Sequence, residues 1–302
     1  MKRIIIFLLL TFGITYAAEF YLMANGGMNS NFGMIWISLM MFIPAICCLL
    51  TRLFTKEKFE NMYLKPNFKG NIKYYIFAWI GPAVLTVIGA LIFFILFPNT
   101  FDPSMSTMEQ NLIAEYEAAN IDVSTLPAIQ TLLISQLLLA LLLGPILNFI
   151  PALGEELGWR GYLLPKLIEK MGNIKAIILT GIIWGLWHLP VIIMGHNYGF
   201  DYWGYPYLGI IGMILFCIFI GMFFAYLSIR TKSAIPCAIA HGALNAVAAV
   251  AIFFANGTQN VLFGPTPVGL VGGIGFIVTG IVCIILLSKE KKENIEQVKV
   301  EA

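Results

Sequence analysis

The chain has 302 residues, of which 59% are apolar and 11% are charged. A soluble globular chain carries about 25% charged residues, so this composition excludes a water-exposed globular protein and predicts an integral membrane protein. The formal net charge of +2 is too small for a nucleic-acid-binding surface, which excludes nucleic acid as a partner.

Apolar segments long enough to cross a bilayer recur along the whole chain, because a membrane helix needs about 20 apolar residues. They predict an all-α, polytopic membrane helix bundle of about eight transmembrane helices, with 1–302 forming a single integral-membrane domain. The first segment also fits a signal peptide, but bulky Tyr16 suits a cleavage site badly, so we expect this segment to be retained. The eight segments are 4–23, 34–54, 74–97, 129–153, 176–195, 207–229, 234–255 and 268–288.

The positive charges predict the orientation of the chain, because lysine and arginine in short loops stay on the cytoplasmic side. With eight spans and a cytoplasmic N-terminus, all 18 lysines and arginines fall on that side. Both termini are therefore predicted to be cytoplasmic, and 289–302 forms a basic tail there. The five cysteines lie in apolar runs without metal-binding spacing, so neither a disulfide framework nor a cysteine-metal site is expected.

The most informative positions are ionisable groups inside the spans, because each costs about 2.5–3.5 kcal/mol at the helix centre. The first group follows Gly154 at the end of the fourth segment. Glu155 and Glu156 point about 100° apart on a helix, whereas Glu156 and Arg160 lie on one face and can form a pair. Glu155 is then left as a free carboxylate, suited to act as a general base. A simple charge cluster at the helix end is the alternative.

Two later spans carry histidine. His188 follows Trp184 by one turn in the fifth span, and on its own this pattern also fits a helix-packing hydrogen bond. His241 and Asn245 lie one turn apart in the seventh span, where both could hold an oxyanion or form a polar clasp between helices. A carboxylate, two imidazoles and a carboxamide on three spans favour a site that activates water and stabilises a tetrahedral intermediate.

These three motifs, Glu-Glu-x-x-x-Arg, aromatic-x-x-x-His and His-x-x-x-Asn, resemble the signatures of the CPBP family. That family includes the type II CAAX prenyl endopeptidases and bacterial lysostaphin-resistance-A-like and bacteriocin self-immunity proteins. The motifs lie within a family-like core of approximately 129–255. One departure is that Trp184 stands where the family usually has Phe.

The resemblance implies an intramembrane endopeptidase, a hydrolase, in a bacterial plasma membrane. Because Glu155 and His241 lie near the cytoplasmic ends of their predicted spans, we expect the site to be a cavity that is open to the cytoplasm and admits water. Glu155 and His188 would activate the attacking water, His241 and Asn245 would hold the oxyanion, and Glu156, Arg160 and Trp184 would support the site. The implied partners are the lipid bilayer and a membrane-embedded or lipidated peptide, with a prenylated CAAX-type tail as one substrate class.

Two questions stay open at this point. Although we expect no cofactor, family members are also labelled metalloproteases, and Glu155, His188 and His241 could ligate zinc. The same polar groups would also serve a proton-coupled transporter, or a non-catalytic immunity or scaffold protein in the membrane.

Overall fold

The computed structural model describes residues 1–30 and 32–301, and regular structure in these ranges is helical, which confirms the predicted all-α fold. Part of the predicted basic tail, 289–302, falls outside the residues whose side chains are described. The α-helices are α1 Lys2–Ala24, α2 Gly33–Met40, α3 Ile43–Phe54, α4 Ile72–Leu96, α5 Ser106–Ala118, α6 Ile129–Leu138, α7 Gly144–Leu147, α8 Phe149–Gly158, α9 Leu164–Met171, α10 Asn173–Trp187, α11 Leu189–Ile193, α12 Tyr207–Thr231, α13 Ile235–Val247 and α14 Ile274–Glu301.

Six stretches in the described part of the chain are long and apolar enough to cross a membrane. Two shorter apolar helices, Asn173–Trp187 and Ile274–Lys289, correspond to the remaining predicted segments. The count of eight spans and the cytoplasmic location of both termini stay predictions. The six stretches are Lys2–Ala24, Gly33–Phe54, Ile72–Leu96, Ile129–Leu147, Tyr207–Thr231 and Ile235–Phe254.

The fourth predicted segment is not one straight helix. α6 passes into a wide π-helical turn over Leu139–Leu143, α7 follows, and the helix restarts after Asn148 as α8. Pro145, in the first turn of α7, has no backbone N–H to continue the helical ladder, which favours an interruption here. A second π-helical turn, Trp159–Leu163, separates α8 from α9, and turns of this kind are frequent at functional sites.

Glycine lets α8 lie directly against α3. A Cβ atom at Gly154 would lie 2.7 Å from the carbonyl oxygen of Met41, and one at Gly158 would lie 2.5 Å from the Cβ of Pro44. Small residues four apart allow two membrane helices to approach this closely, since lipid offers no competing hydrophobic force. The spacing therefore holds the Glu155–Glu156 pair at the helix interface.

Close packing at glycine residues also joins α10 to α12. Cβ atoms at Gly181 and Gly185 would lie 2.6 Å and 2.5 Å from the Cα atoms of Ile218 and Ile214, respectively. This packing fixes the end of α10, and with it Trp184 and His188, within the bundle.

The first helix packs against the bundle with a polar face. Thr11, Thr15 and Glu19 recur every four residues and are all buried. Thr15 Oγ1 accepts a hydrogen bond of 2.8 Å from the indole N–H of Trp187, so α1 lies against the end of α10. The five cysteines are buried and free.

Candidate active site

Glu156 is the central acceptor of the predicted site. Its side chain is fully buried, and its Oε1 atom lies 2.9 Å from Arg160 Nη1 and 2.9 Å from His241 Nδ1. The first contact is the pair expected from the spacing on α8, while the second joins α8 to α13. Arg160 also places its guanidinium 4.2 Å from the ring centre of Trp184, a cation–π contact that offsets part of the cost of burying its charge.

Glu155 has a different partner. It is 2% exposed, and its Oε2 atom accepts a hydrogen bond of 2.8 Å from the indole N–H of Trp184 on α10. No arginine or lysine pairs with it among the described residues. The two adjacent glutamates therefore have different surroundings. Glu156 forms a salt bridge, whereas Glu155 accepts a hydrogen bond from a single neutral donor.

His188 is oriented by the backbone of α10. Its Nδ1 atom lies 2.8 Å from the carbonyl oxygen of Trp184, and a carbonyl can only accept, so Nδ1 carries a proton. The Nε2 atom is then the one that carries a lone pair when the ring is neutral. The imidazole also packs edge to face on Trp187, with ring centres 4.9 Å apart.

His241 is buried between aromatic rings. Its ring centre lies 5.5 Å from that of Trp184 and 5.7 Å from that of Phe224, and its Nδ1 donates towards Glu156. Trp184 thus touches both histidines, Glu155 and Arg160, which gives it more contacts with the site than the supporting role predicted from sequence.

Asn245 is not joined to this cluster. Its side chain is exposed, and it makes no side-chain hydrogen bond to the described residues. The oxyanion role of Asn245 therefore stays a prediction. The other predicted residues come together from α8, the π-helical turn Trp159–Leu163, α10 and α13. They are Glu155, Glu156, Arg160, Trp184, His188 and His241.

Glu19 on α1 is a further carboxylate that sequence reasoning missed. It is 2% exposed, its Oε2 has no hydrogen-bond partner in the described part of the chain, and it is close enough to Glu155 for their charges to interact. The signal was present: Thr11, Thr15 and Glu19 share one helical face of an apolar segment, where a carboxylate is expensive.

The zinc alternative needs three ligands that converge. Among the residues whose side chains are described, no group of three His, Cys, Asp or Glu side chains is placed to hold a metal ion. Glu155, His188 and His241 instead direct one polar atom each to Trp184 or Glu156. The expectation of a metal-free site stays a prediction.

The polar side chains of the site are largely enclosed. Glu155, Glu156 and His241 are all buried, while His188 is partly exposed. An opening of the site to the cytoplasm stays a prediction.

Comparison with known proteins supports the resemblance. Residues 130–247 match the family described as type II CAAX prenyl endopeptidase Rce1-like. The CAAX prenyl protease 2 of Methanococcus maripaludis is 31% identical over 93 residues, which are 31% of this chain and 34% of that protein. The chain thus spans about a third of the length of the curated relative that it matches.

The matched segment contains every residue of the three motifs. These findings agree with the resemblance to the CPBP family, and, with the apolar helices, they identify an integral, multi-pass membrane protein.

Proposed function

We propose that this protein is an intramembrane endopeptidase that hydrolyses a peptide bond in a membrane-associated substrate by means of water activated by Glu155 and His188. The observation that carries the proposal is that Glu155, His188 and His241 all contact the indole of Trp184, Glu155 by a hydrogen bond and the two histidines by ring contacts with centres 5.8 Å and 5.5 Å away. The three come from separate helices, and each is expensive to keep in an apolar bundle. The matched family supports the same reaction class.

Glu155 is the group best suited to remove a proton from water. It lacks a salt bridge among the described residues, so its negative charge is not neutralised by a neighbour, and Trp184 fixes the position of one oxygen. His188 assists, because its protonated Nδ1 faces a carbonyl and leaves Nε2 free to accept a hydrogen bond from the same water.

His241 stabilises the negative charge that develops on the substrate oxygen. The Glu156 carboxylate at Nδ1 stabilises positive charge on the imidazole, so Nε2 can donate a hydrogen bond. Arg160 balances the charge of Glu156 on the other side. In this scheme Asn245 would add a second donor when substrate is bound.

The proposed hydrolysis of the peptide bond needs only water and the Glu155 carboxylate to move the protons. The water oxygen forms a bond to the peptide carbonyl carbon while Glu155 takes one of its protons, and the carbonyl oxygen becomes an oxyanion. When the tetrahedral intermediate collapses, the carbon–nitrogen bond breaks and Glu155 passes the proton to the departing amine. The products are a carboxylic acid and an amine, and the carboxylate of Glu155 is restored.

The substrate class and the location belong to the same proposal. The printed name of the relative from Methanococcus maripaludis points to prenylated CAAX-type tails as one class to test, and other membrane peptides form a second class. The basic residues at the ends of α3 and α12 suggest that the site faces the cytoplasmic side of a bacterial plasma membrane.

The test uses the full chain in liposomes, incubated with a farnesylated CAAX-type peptide and with the same peptide without the lipid. Mass spectrometry identifies the cleaved bond. We expect cleavage by the wild type, loss of cleavage in Glu155→Gln, and unchanged cleavage in Glu117→Gln, a matched change on exposed α5.

Cleavage that persists in Glu155→Gln would overturn the assignment of the base. A lack of cleavage with either peptide, together with substrate-dependent proton flux, would favour the transporter alternative. A protective effect in cells that survives alanine at Glu155, His188 and His241 would favour a non-catalytic immunity role.

A further inference from the structure

A large cavity lies at the end of the bundle where the basic residues gather, outside the candidate active site. It encloses about 1030 Å³, at the upper end of the range for small-molecule sites. Three parts of the chain form its walls: the segment 55–71, the π-helical turn Trp159–Leu163 with the following α9, and the junction of α12 and α13. Two hydrogen bonds fasten the segment: Ala234 N donates to Tyr63 O at 2.8 Å, and Asn67 Nδ2 donates to Thr231 O at 2.9 Å.

The lining carries more positive than negative charge. Three carboxylates, Glu57, Glu60 and Glu169, face five cationic side chains, which leaves an excess of two positive charges. Lys65 and Lys232 form no ion pair in the described part of the chain. The five cationic residues are Arg52, Lys58, Lys65, Lys166 and Lys232.

Glu57, one of the three carboxylates, is shared by several cations. Lys166 Nζ lies 2.5 Å from Glu57 Oε1, Arg52 Nη1 lies 3.6 Å away, and Arg3 Nε lies 3.4 Å from Oε2. Partial burial raises the pKa of the Glu57 carboxyl, but the hydrogen bond and charge of Lys166, with the charge of Arg52, outweigh burial and lower it below its usual range. The field at this wall is therefore positive.

Arg52 holds one wall of the cavity in place. It is 4% exposed, and its Nη1 atom donates to the backbone carbonyl oxygens of Lys58 and, at 3.4 Å, of Glu60. Because Arg52 lies in the last turn of α3, a candidate span, the cavity lies where a membrane helix meets the surface.

We propose that this cavity binds a phosphate group, and that its ligand is a phosphate-bearing anion such as the headgroup of an anionic lipid. A phosphate monoester brings up to two negative charges and three acceptor oxygens, which match the two excess positive charges and the unpaired donors. Neighbouring lysines near an anionic membrane surface each add about fivefold to affinity, the equivalent of about 1 kcal/mol. The inference does not depend on the proposed protease activity.

The experiment measures binding to the full chain in phosphatidylcholine nanodiscs by calorimetry. The probes are short-chain phosphatidic acid and inorganic phosphate. The test variant is Lys65→Gln with Lys232→Gln, and both side chains are exposed, so folding is preserved. The control is Lys56→Gln with Lys69→Gln, two exposed lysines that do not line the cavity, and Lys56 shares the positive φ of Lys232.

We expect saturable binding that falls by about 25-fold in the cavity variant, which is two steps of about fivefold, and by no more than about twofold in the control. Binding of phosphatidic acid alone identifies a lipid headgroup as the source, and equal binding of inorganic phosphate identifies a free anion; both outcomes support a phosphate site. Equal losses in the two double variants, or no saturable binding of either probe, would overturn the proposal. So would saturable binding of an acidic peptide that neither probe displaces.

Discussion

The indole N–H of Trp184 donates a hydrogen bond of 2.8 Å to Glu155, although the two residues are 29 positions apart and on different helices. Phenylalanine, which usually stands at this position in the family that the chain resembles, could fill the space but could not donate. The substitution that set this sequence apart from the family pattern therefore adds a polar contact to the carboxylate proposed as the base.

Trp184→Phe tests that contact. We expect peptide cleavage to fall by about tenfold, because a hydrogen bond to a charged group is worth about 1.5–3 kcal/mol, of which a part is lost from the transition state. Initial cleavage rates in liposomes provide the measurement. Trp187→Phe is the matched control, since it removes a similar 2.8 Å indole bond that is directed to Thr15 instead. Equal losses in the two variants would show that the bond to Glu155 has no special role.

The pair of Glu156 and Arg160 predicts a large effect on stability. Arg160→Met leaves a buried carboxylate with only His241 beside it, and breaking such a pair costs about 3–5 kcal/mol. We expect a marked drop in the thermal midpoint of the protein in detergent. The double variant Glu156→Leu with Arg160→Met removes both charges and should recover most of the stability.

Activity should not follow stability in that double variant. His241 loses its partner at Nδ1 when Glu156 is replaced, so its imidazolium is no longer stabilised. We expect a folded protein without cleavage. A double variant that regains both stability and full cleavage would contradict the proposed role of Glu156 in supporting His241.

The sequence predicted the helical membrane fold because each apolar segment is visible on its own. It also predicted the pairing of Glu156 with Arg160, since four residues on one helix define that distance. The contact of Glu156 with His241 depends instead on how α8 packs against α13, which no local pattern encodes. The same holds for Trp184 and Glu155, and for the exposed position of Asn245.

The acid dependence of stability can be tested at Glu57. Because Lys166 and Arg52 lower its pKa below the usual value of about 4.3, the unfolded chain binds more protons than the folded one in that window. Glu57 therefore stabilises the fold above about pH 4.3, and this contribution is lost as the pH falls through the lowered pKa. It is at most about 1 kcal/mol, because the group is partly screened by solvent.

Thermal midpoints across this pH range provide the measurement. Glu57→Gln should lower the midpoint at neutral pH and weaken its fall in acid. Glu60→Gln is the control in the same segment, since Glu60 is 74% exposed and lies 3.6 Å from the equally solvated Lys58. An identical acid response in wild type and Glu57→Gln would contradict the assignment.

Substitution of Glu19 tests whether the protein keeps this buried carboxylate for function although it lowers the stability. Its Oε2 has no hydrogen-bond partner among the described residues. Glu19→Gln keeps the volume and removes the ionisable carboxyl, so we expect stability to rise by about 1 kcal/mol. Glu19→Ala also removes the carboxyl but leaves a cavity, so it should gain less. The thermal midpoints of the three proteins in one detergent decide the order. If Gln lowers the midpoint as much as Ala, the carboxylate has a stabilising partner and the expected gain in stability is wrong. If Gln raises the midpoint while cleavage falls, the protein retains the carboxylate for the site at the expense of stability.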